Sequence, residues 1–188
     1  MSTDFGNFVE ATYFAAQRHK HQTRKGKGKI PYINHPIRVA LILTECGETD
    51  FDLLTASVLH DIIEDTAKDK KEIKKLSEEI KIQFGEEVLS LVQEVTDDKS
   101  LPVEERKRLQ VLHTPGLSDN AKKLKIADKI SNIQDIDVDP PEDWALQRKL
   151  NYLNWANDVV EGAKGLNNKL DQYFGRVYTE VYNKLNNL

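Results

Sequence analysis

Apolar residues along this 188-residue chain recur every three or four positions, and the two-residue alternation of a half-buried strand is scarce. The first such stripe lies between residues 5 and 21 and comprises Phe8, Val9, Thr12, Tyr13, Ala15 and Ala16. Later stripes include Val39, Ala40, Ile42 and Leu43, and further along Leu166, Leu170, Tyr173 and Val177. This spacing places apolar residues on one face of a helix, which must pack against other helices to leave water. The chain is therefore predicted to form an all-α helical bundle.

Proline and capping residues mark where several of these helices begin and end. Pro36 suits the first turn of a helix, where its missing N–H costs little. The next helix is predicted to start at Asp50 or Asp52, where a short carboxylate can cap it. A later helix is predicted over residues 121 to about 133, and the pair Pro140-Pro141 closes that unit.

The length and composition of the chain favour a single domain spanning residues 1–188. Its 27 Lys and Arg against 31 Asp and Glu give a formal net charge of −4, which is not the basic balance of a nucleic-acid-binding protein. The single cysteine, Cys46, cannot form an internal disulfide. No apolar run approaches membrane-spanning length, and the polar start lacks a signal-peptide pattern. We expect a cytoplasmic protein that binds neither nucleic acid nor membrane, in an oligomeric state that the sequence leaves open.

The pair His60-Asp61 follows directly after the apolar run 53–59. A helix that carries this run would deliver an imidazole and a carboxylate into the protein interior. Burying these two groups is unfavourable unless a metal ion or hydrogen-bond partners compensate for the lost hydration. Two interpretations are open at this point: a pair of metal ligands, or a histidine that is simply hydrogen-bonded in the core.

Two further carboxylates lie one helical turn beyond this pair. On a helix that continues, Glu64 shares a face with both His60 and Asp61, and Asp65 shares one with Asp61. Like charges this close repel each other unless a cation is present or one carboxylate is protonated. Such an arrangement suits the binding or activation of a water molecule at a metal ion.

Two basic segments are candidates for phosphate binding. Residues 24–29 read Arg-Lys-Gly-Lys-Gly-Lys and are predicted to form a flexible basic loop. Arg24 and Lys25 are the leading candidates within it, since arginine can bind two phosphate oxygens at once and lysine adds a flexible charge. The alternative is an exposed basic loop without a ligand. The lysine-rich segment 68–75 is better explained as the solvated face of a helix.

Six motifs follow one another in a fixed order between about residue 8 and residue 160. They are His19-x-x-Gln22-x-Arg24-Lys25, Pro31-Tyr32-Ile33-Asn34-His35-Pro36, Leu59-His60-Asp61-Ile62-Ile63-Glu64-Asp65-Thr66, Phe84-Gly85, Val95-Thr96-Asp97-Asp98-Lys99 and Lys125-Ile126-Ala127-Asp128-Lys129-Ile130-Ser131-Asn132. Together they resemble the hydrolase domain of the RelA/SpoT alarmone enzymes, and most closely the stand-alone small alarmone hydrolases that include the metazoan SpoT homologues. The expected architecture is therefore an HD-type helical bundle, with the C-terminal helices packed on the part that carries the motifs.

The resemblance implies Mn²⁺-dependent hydrolysis of the 3′-pyrophosphate of ppGpp or pppGpp, which gives pyrophosphate and GDP or GTP. The residues that match the ligands of one Mn²⁺ ion are His35, His60, Asp61 and Asp128. Glu64 and Asp65 match the acidic pair credited with positioning or activating the attacking water, and which of the two does so stays open. The residues that match substrate contacts are Arg24, Lys25, Lys99, Asn132, Arg148 and Tyr152. For Tyr152 the alternative is a packed aromatic side chain.

Two other functions are compatible with the sequence. One is an HD phosphatase acting on another nucleotide, including removal of the 2′-phosphate of NADPH. The other is a non-catalytic alarmone sensor, which binds the nucleotide without turnover. A sensor would be expected to have lost a metal ligand or a member of the acidic pair, and all six of these residues are present.

Overall fold

Helices account for the regular structure of this chain. The structure, a computed structural model, describes residues 3–187, and within that range it contains ten α-helices, one 3₁₀ turn at Thr114–Gly116 and no strand. The helices are α1 (Asp4–Arg18), α2 (Asn34–Glu45), α3 (Phe51–Leu59), α4 (Ile62–Thr66), α5 (Lys70–Phe84), α6 (Glu86–Val95), α7 (Val103–His113), α8 (Asp119–Val138), α9 (Leu146–Glu161) and α10 (Asn168–Asn186). The predicted all-α fold is confirmed.

Side chains just before α3 and α8 fix where these two helices begin. Asp50 caps α3, because its carboxylate accepts two backbone N–H groups of the first turn. Ser118 caps α8 through its hydroxyl group. α8 continues to Val138, beyond the predicted end near Ile133, since the buried side chain of Ile136 extends its apolar face.

α3 and α8 lie at the centre of the bundle. All seven residues 53–59 of α3 are buried. α3 packs against α1, α2 and α6, while α8 packs against α2, α6, α9 and α10. α2 contacts both central helices, and side-chain distances show that the start of α2, the end of α3 and the middle of α8 come together in one place.

The predicted continuation of α3 through His60 and Asp61 is wrong. α3 ends at Leu59 and the short helix α4 begins at Ile62, so that His60 and Asp61 form a turn between them. The imidazole explains the break: its Nδ1 lies 2.8 Å from the carbonyl oxygen of Ser57 and donates to it. A continuing helix would offer that carbonyl to the N–H of Asp61. From this turn, His60 reaches towards α8 and Asp61 towards α2.

The basic loop between α1 and α2 is fastened to the rest of the molecule. The backbone N–H of Arg24 donates to the carbonyl of Ile30 at 2.8 Å, which closes the loop. The N–H of Gly28 donates to the carboxylate of Asp139 at 3.1 Å. A Cβ atom at Gly26 would lie 2.1 Å from the same carboxylate, so this close approach requires glycine. The loop is thereby held against the segment that follows α8.

Candidate active site

The four predicted metal ligands meet where α2, α3 and α8 pack together. Nε2 of His35 lies 3.2 Å from Oδ1 of Asp128 and 3.5 Å from Oδ2 of Asp61. Nε2 of His60 lies 3.1 Å from the same oxygen of Asp61 and 3.8 Å from Oδ1 of Asp128. Ligand atoms of His35, His60 and Asp128 all lie within 4.8 Å of one another. Two imidazoles and two carboxylates therefore form one compact group.

A hydrogen bond at Nδ1 orients each imidazole of this group. Nδ1 of His35 is 2.9 Å from the hydroxyl oxygen of Ser131, and Nδ1 of His60 is 2.8 Å from the carbonyl oxygen of Ser57. A carbonyl oxygen only accepts, so the neutral ring of His60 carries its proton on Nδ1 and its lone pair on Nε2. This Nε2 is buried and has no hydrogen-bond partner among residues 3–187. A buried nitrogen lone pair beside two carboxylates fits a divalent metal ion.

The carboxylates of the group favour a proton on His60. Burial alone would lower the pKa of His60, but the neighbouring carboxylates, Asp61 foremost, outweigh burial and raise it to about 10. Burial keeps the pKa of His35 below its usual value. Burial would raise the pKa of both carboxyl groups, yet His60 holds that of Asp61 low and Lys129 holds that of Asp128 low. A divalent cation would supply the same compensation as the protonated imidazole.

Metal binding is expected to release a proton from His60 and therefore to strengthen as the pH rises. The pKa of about 10 means that the ring is protonated near neutral pH, whereas the ligand form is the neutral imidazole. We expect the affinity for Mn²⁺ to increase by about tenfold per pH unit between about pH 7 and pH 9. Calorimetric titration in two buffers of different ionisation enthalpy measures the released proton, and an affinity that does not change with pH would contradict this prediction.

The same pKa difference predicts how the stability of the metal-free protein depends on pH. The pKa of His60 rises from 6.5 to about 10 on folding, so the protonated imidazole stabilises the folded state. This contribution to the free energy of unfolding is complete below pH 6.5 and is lost as the pH rises towards 10. The rise in melting temperature on adding Mn²⁺ should accordingly be larger at pH 9 than at pH 6.5. An equal rise at both values would show that the proton and the metal ion do not compete.

Glu64 and Asp65 lie on α4 at the edge of this group and differ in how their oxygens are used. Oε2 of Glu64 accepts the backbone N–H of Asp97 at 3.1 Å, whereas Oε1 makes only longer ion pairs. Both oxygens of Asp65 accept hydrogen bonds, one from Lys99 and one from Nε2 of Gln22 at 2.7 Å. Burial, and after it the carboxylate of Asp61, raise the pKa of Glu64 to about 7.

A chain of hydrogen bonds behind Asp65 fixes the direction of its carboxylate. Because a carboxylate only accepts hydrogen bonds, Nε2 of Gln22 donates to Asp65. Oε1 of Gln22 lies 2.7 Å from Nδ1 of His19 and accepts a hydrogen bond from it. His19 is buried, and its ring packs against that of Tyr32 with 4.8 Å between centroids. The hydroxyl group of Tyr32 donates to Oδ2 of Asp61 at 2.7 Å. His19, Gln22 and Tyr32 belong to the sequence motifs, which gave them no role of their own.

A cavity of about 460 Å³ opens beside the acidic pair, and a narrower one of about 140 Å³ is lined by all four predicted metal ligands. The predicted substrate residues in the wall of the large cavity are Arg24, Lys25, Lys99, Asn132 and Tyr152. Apolar parts of the same wall come from Ile30, Ile136, Pro141 and Trp144. A cavity with cations on one part of its wall and apolar groups on another suits a nucleotide.

Arg24 is held in place by other residues of the cavity wall. Its Nε donates to Oδ2 of Asp135 at 2.6 Å, and its Nη2 donates to the side-chain oxygen of Asn132. Asn132 donates in turn to Oδ1 of Asp128 at 2.7 Å. Asp135 also accepts a hydrogen bond from Arg38. The carboxylate of Asp135 thus ties two arginines to α8, the helix that carries the candidate metal ligand Asp128, which no sequence pattern had indicated.

Tyr152 and Arg148 lie one turn apart on α9 but are placed differently. Tyr152 packs between Trp144 and Trp155, with ring centroids 5.5 and 5.2 Å away, and burial raises its pKa to about 12. It is therefore both a packed aromatic residue and part of the cavity wall. Arg148 is exposed, stacks on the ring of Trp144 at 4.7 Å and pairs with Asp143 at 3.3 Å. Arg148 does not line the large cavity as the structure describes it.

Two further cations belong to the site, although the sequence analysis assigned them no function. Lys129 is buried, and its ammonium group donates to Oδ2 of Asp128 at 2.9 Å. Arg106 on α7 lies 3.7 Å from Oε1 of Glu64. The only sequence signal for Lys129, and for Ser131 beside His35, was their place in the motif that contains Asp128, and nothing in the sequence marked Arg106 or Ser57.

Similarity to known proteins extends over nearly the whole chain. The HD domain family matches residues 11–153. The chain belongs to the HD domain family. This HD-domain protein is 48% identical over 179 residues to guanosine-3′,5′-bis(diphosphate) 3′-pyrophosphohydrolase MESH1 of Xenopus tropicalis. The match covers 93% of this chain and 96% of that protein. It is 43% identical over 181 residues to MESH1 of Homo sapiens, with 96% and 97% covered.

A solved structure agrees with these sequence relationships. It is that of a metazoan ortholog of SpoT that hydrolyses ppGpp and plays a role in starvation responses, and it matches the HD-domain protein with a TM-score of 0.85 and 39% sequence identity. The match covers 93% of this chain and 94% of the other. The resemblance to RelA/SpoT-type hydrolases that the six motifs indicated is confirmed.

Proposed function

We propose that this HD-domain protein is a 3′-pyrophosphohydrolase that converts ppGpp to GDP, and pppGpp to GTP, with release of pyrophosphate. The observation that carries the proposal is the position of the acidic pair, which lies between a group of four candidate metal ligands and a cavity lined by cations. Relatives that share 43% and 48% of its residues over nearly its full length are named for this activity.

The residues present fit one divalent ion, for which we propose Mn²⁺. Imidazole nitrogens of His35 and His60 and carboxylate oxygens of Asp61 and Asp128 would hold it, a mixed donor set that suits a borderline ion. Bound there, the ion supplies a Lewis acid that polarises a phosphoryl oxygen and acidifies water. Support for the fit comes from the unpartnered Nε2 of His60 and from the hydrogen bonds that orient both rings.

In this proposal Glu64 and Asp65 have different roles towards the attacking water. In the hydrolysis, a water oxygen bonds to the phosphorus attached to the 3′ oxygen. The bond between this phosphorus and the 3′ oxygen breaks, and the 3′ oxygen takes up a proton. Glu64 accepts the proton of the water, since its Oε1 forms no hydrogen bond in the described structure. Asp65 orients the water and Lys99, since Gln22 fixes the direction of its carboxylate.

Cations of the cavity wall offset the charge of the phosphates. The protein as a whole has a formal charge of −4, so a highly anionic nucleotide must be held by a local cluster. Arg24 and Lys25 provide this cluster at one part of the wall, with Asn132 next to them and Lys99 at the acidic pair. Aromatic packing against the base is proposed for Tyr152, and Arg148 would have to leave Asp143 to reach a phosphate.

The products formed from two nucleotides test the proposed function. The protein is incubated with ppGpp or with NADPH, with and without Mn²⁺, and pyrophosphate and orthophosphate are measured separately. Release of pyrophosphate and GDP from ppGpp, dependent on Mn²⁺, is the expected result. Orthophosphate from NADPH alone would support the phosphatase alternative, and tight ppGpp binding without any product would support the sensor.

Arg24→Ala is expected to raise the KM for ppGpp by about ten- to a hundredfold, because a charge-assisted contact to phosphate contributes roughly 1.5–3 kcal/mol. Binding of Mn²⁺ should change much less, since Arg24 is not a candidate ligand and its side-chain hydrogen bonds go to Asp135 and Asn132. Lys27→Ala, an exposed change in the same loop, is the matched control. Steady-state kinetics at fixed Mn²⁺ provide the measurement, and a KM within twofold of wild type would remove Arg24 from the substrate site.

Some properties predicted from the sequence stay predictions. No helix within residues 3–187 combines the length and the apolar character needed to cross a membrane. The cytoplasmic location and the absence of nucleic-acid binding are still expected on the basis of sequence composition. We propose that the chain functions as one domain over residues 1–188, with α9 and α10 packed on the part that carries the motifs.

A further inference from the structure

Arg106 extends from the first turns of α7 into the wall of the large cavity. Its side chain is 21% exposed, and its Nε is buried without a hydrogen-bond partner among residues 3–187. Within residues 3–187, the carboxylate that lies within 4.0 Å of it is that of Glu64, whose Oε1 is 3.7 Å from Nη1, which is too long for a hydrogen bond. The side chain of Arg106 is therefore largely buried, and none of its N–H groups has a hydrogen-bond partner among residues 3–187.

Three of the other cations in the same wall have protein partners. Arg24 and Arg38 share the carboxylate of Asp135, and Lys99 donates to Asp65. Burial of the Nε of Arg106 without a hydrogen bond is unfavourable, because this N–H group has lost hydration that nothing replaces. An anion in the cavity would supply hydrogen-bond acceptors in place of the lost water, and a phosphate can accept two parallel hydrogen bonds from the N–H groups of an arginine.

The position of Arg106 defines which phosphate it can reach. Arg106 and Lys99 both lie within 4.0 Å of Oε1 of Glu64, whereas Arg24 is connected through Asn132 to the metal ligand Asp128. The phosphorus that is attacked must lie within reach of Glu64, so a phosphate attached to it lies next to Arg106 and Lys99.

We propose that Arg106 is a further phosphate-binding residue, which together with Lys99 holds the terminal phosphate of the 3′-pyrophosphate and of the pyrophosphate product. This inference rests on the proposed function, because it assigns one end of the substrate of that same site. Arg24 and Lys25 are thereby left for the phosphates at the other end of the nucleotide.

Binding of inorganic pyrophosphate to the Mn²⁺-loaded protein tests this assignment without requiring turnover. Wild type, Arg106→Gln and Arg106→Lys are compared by calorimetry, with Mn²⁺ limited to one ion per protein. We expect Arg106→Gln to weaken pyrophosphate binding at least tenfold while the affinity for GDP and the Mn²⁺ content stay at wild-type values. Arg106→Lys should retain part of the affinity, since the charge remains but the two-point contact is lost. The matched control is Arg108→Gln, an exposed change on the same helix.

A purely structural role would give a different result. If Arg106 only offsets the charge of Glu64, then Arg106→Gln alters the pH profile of turnover but leaves pyrophosphate affinity within twofold of wild type, and the proposal is overturned. Where Arg106→Gln does not fold, as judged by thermal melting, equal pyrophosphate affinity of Arg106→Lys and wild type overturns it instead. Hydrolysis of ppGpp with unchanged pyrophosphate binding would leave the proposed function intact. If Arg106→Gln weakens pyrophosphate binding but the wild-type protein does not hydrolyse ppGpp, the assignment of Arg106 to phosphate binding stands and the proposed function fails.

Discussion

Asp61→Asn is expected to lower the turnover of ppGpp by about a thousandfold or more and to remove most of the bound Mn²⁺. A metal ion supplies several kcal/mol of transition-state stabilisation, and each 1.36 kcal/mol corresponds to a factor of ten in rate. Asparagine has the shape of aspartate, and its amide oxygen can still accept the hydrogen bond from Tyr32. The loss should therefore come from the missing charge of the ligand rather than from a change in packing.

Metal content and melting temperature measured alongside the rate separate these causes. Wild type should melt at a higher temperature when Mn²⁺ is added, because the ion binds the folded site far better than the unfolded chain. Asp61→Asn should lose this response. Asp119→Asn, an exposed change in the first turn of α8, should retain both the response and the activity. A full complement of Mn²⁺ with wild-type turnover in Asp61→Asn would exclude this carboxylate from the ligand set.

Glu64→Gln is expected to reduce kcat by about 10²- to 10⁴-fold, the range for losing a residue that accepts a proton in the transition state, while Mn²⁺ remains bound. The amide is similar in size, and its oxygen can keep the hydrogen bond to the N–H of Asp97. The amide of glutamine cannot accept a proton from water as the carboxylate of Glu64 can. Glu78→Gln on α5 exchanges the same groups at an exposed position and should leave kcat unchanged.

Asp65→Asn should have a smaller effect, about ten- to a hundredfold, because Asp65 is proposed to orient rather than to accept the proton. Its amide group would have to face a donor, either Gln22 or Lys99, so some of the loss reflects a disturbed hydrogen-bond chain. Single-turnover kinetics and metal analysis of both variants give the comparison. Loss of Mn²⁺ from both would make Glu64 and Asp65 ligands, and a larger loss in Asp65→Asn would reverse their roles.

Much of the fold was accessible from local features of the sequence. Helical periodicity depends on residues three and four apart, which are close in space whatever the rest of the chain does. The predicted helix start at Asp50 depends on groups within one turn of each other. The motifs around His35, His60 and Asp128 also indicated which side chains would be functional, since imidazole and carboxylate groups are costly to bury without a purpose.

Interactions between distant segments could not be predicted in this way. The break after Leu59 depends on the imidazole of His60 competing for the carbonyl of Ser57, although the apolar run before it is typical of a continuing helix. Arg24 and Asp135 are 111 positions apart, and no periodicity relates them.

The sequence by itself predicted the all-α class from residue type and short-range spacing, and it indicated the candidate metal ligands and the acidic pair through motifs that resemble those of a known family. The tertiary structure alone decided how these groups are used. It left Oε1 of Glu64 open, held both oxygens of Asp65, and placed Arg106 in the cavity wall with its N–H groups unused. These outcomes depend on distances between α1, α4 and α7, which are set by packing between helices rather than by the order of residues within any one of them. α1 packs on α3, α4 contacts α1 and α5, and α7 contacts α9.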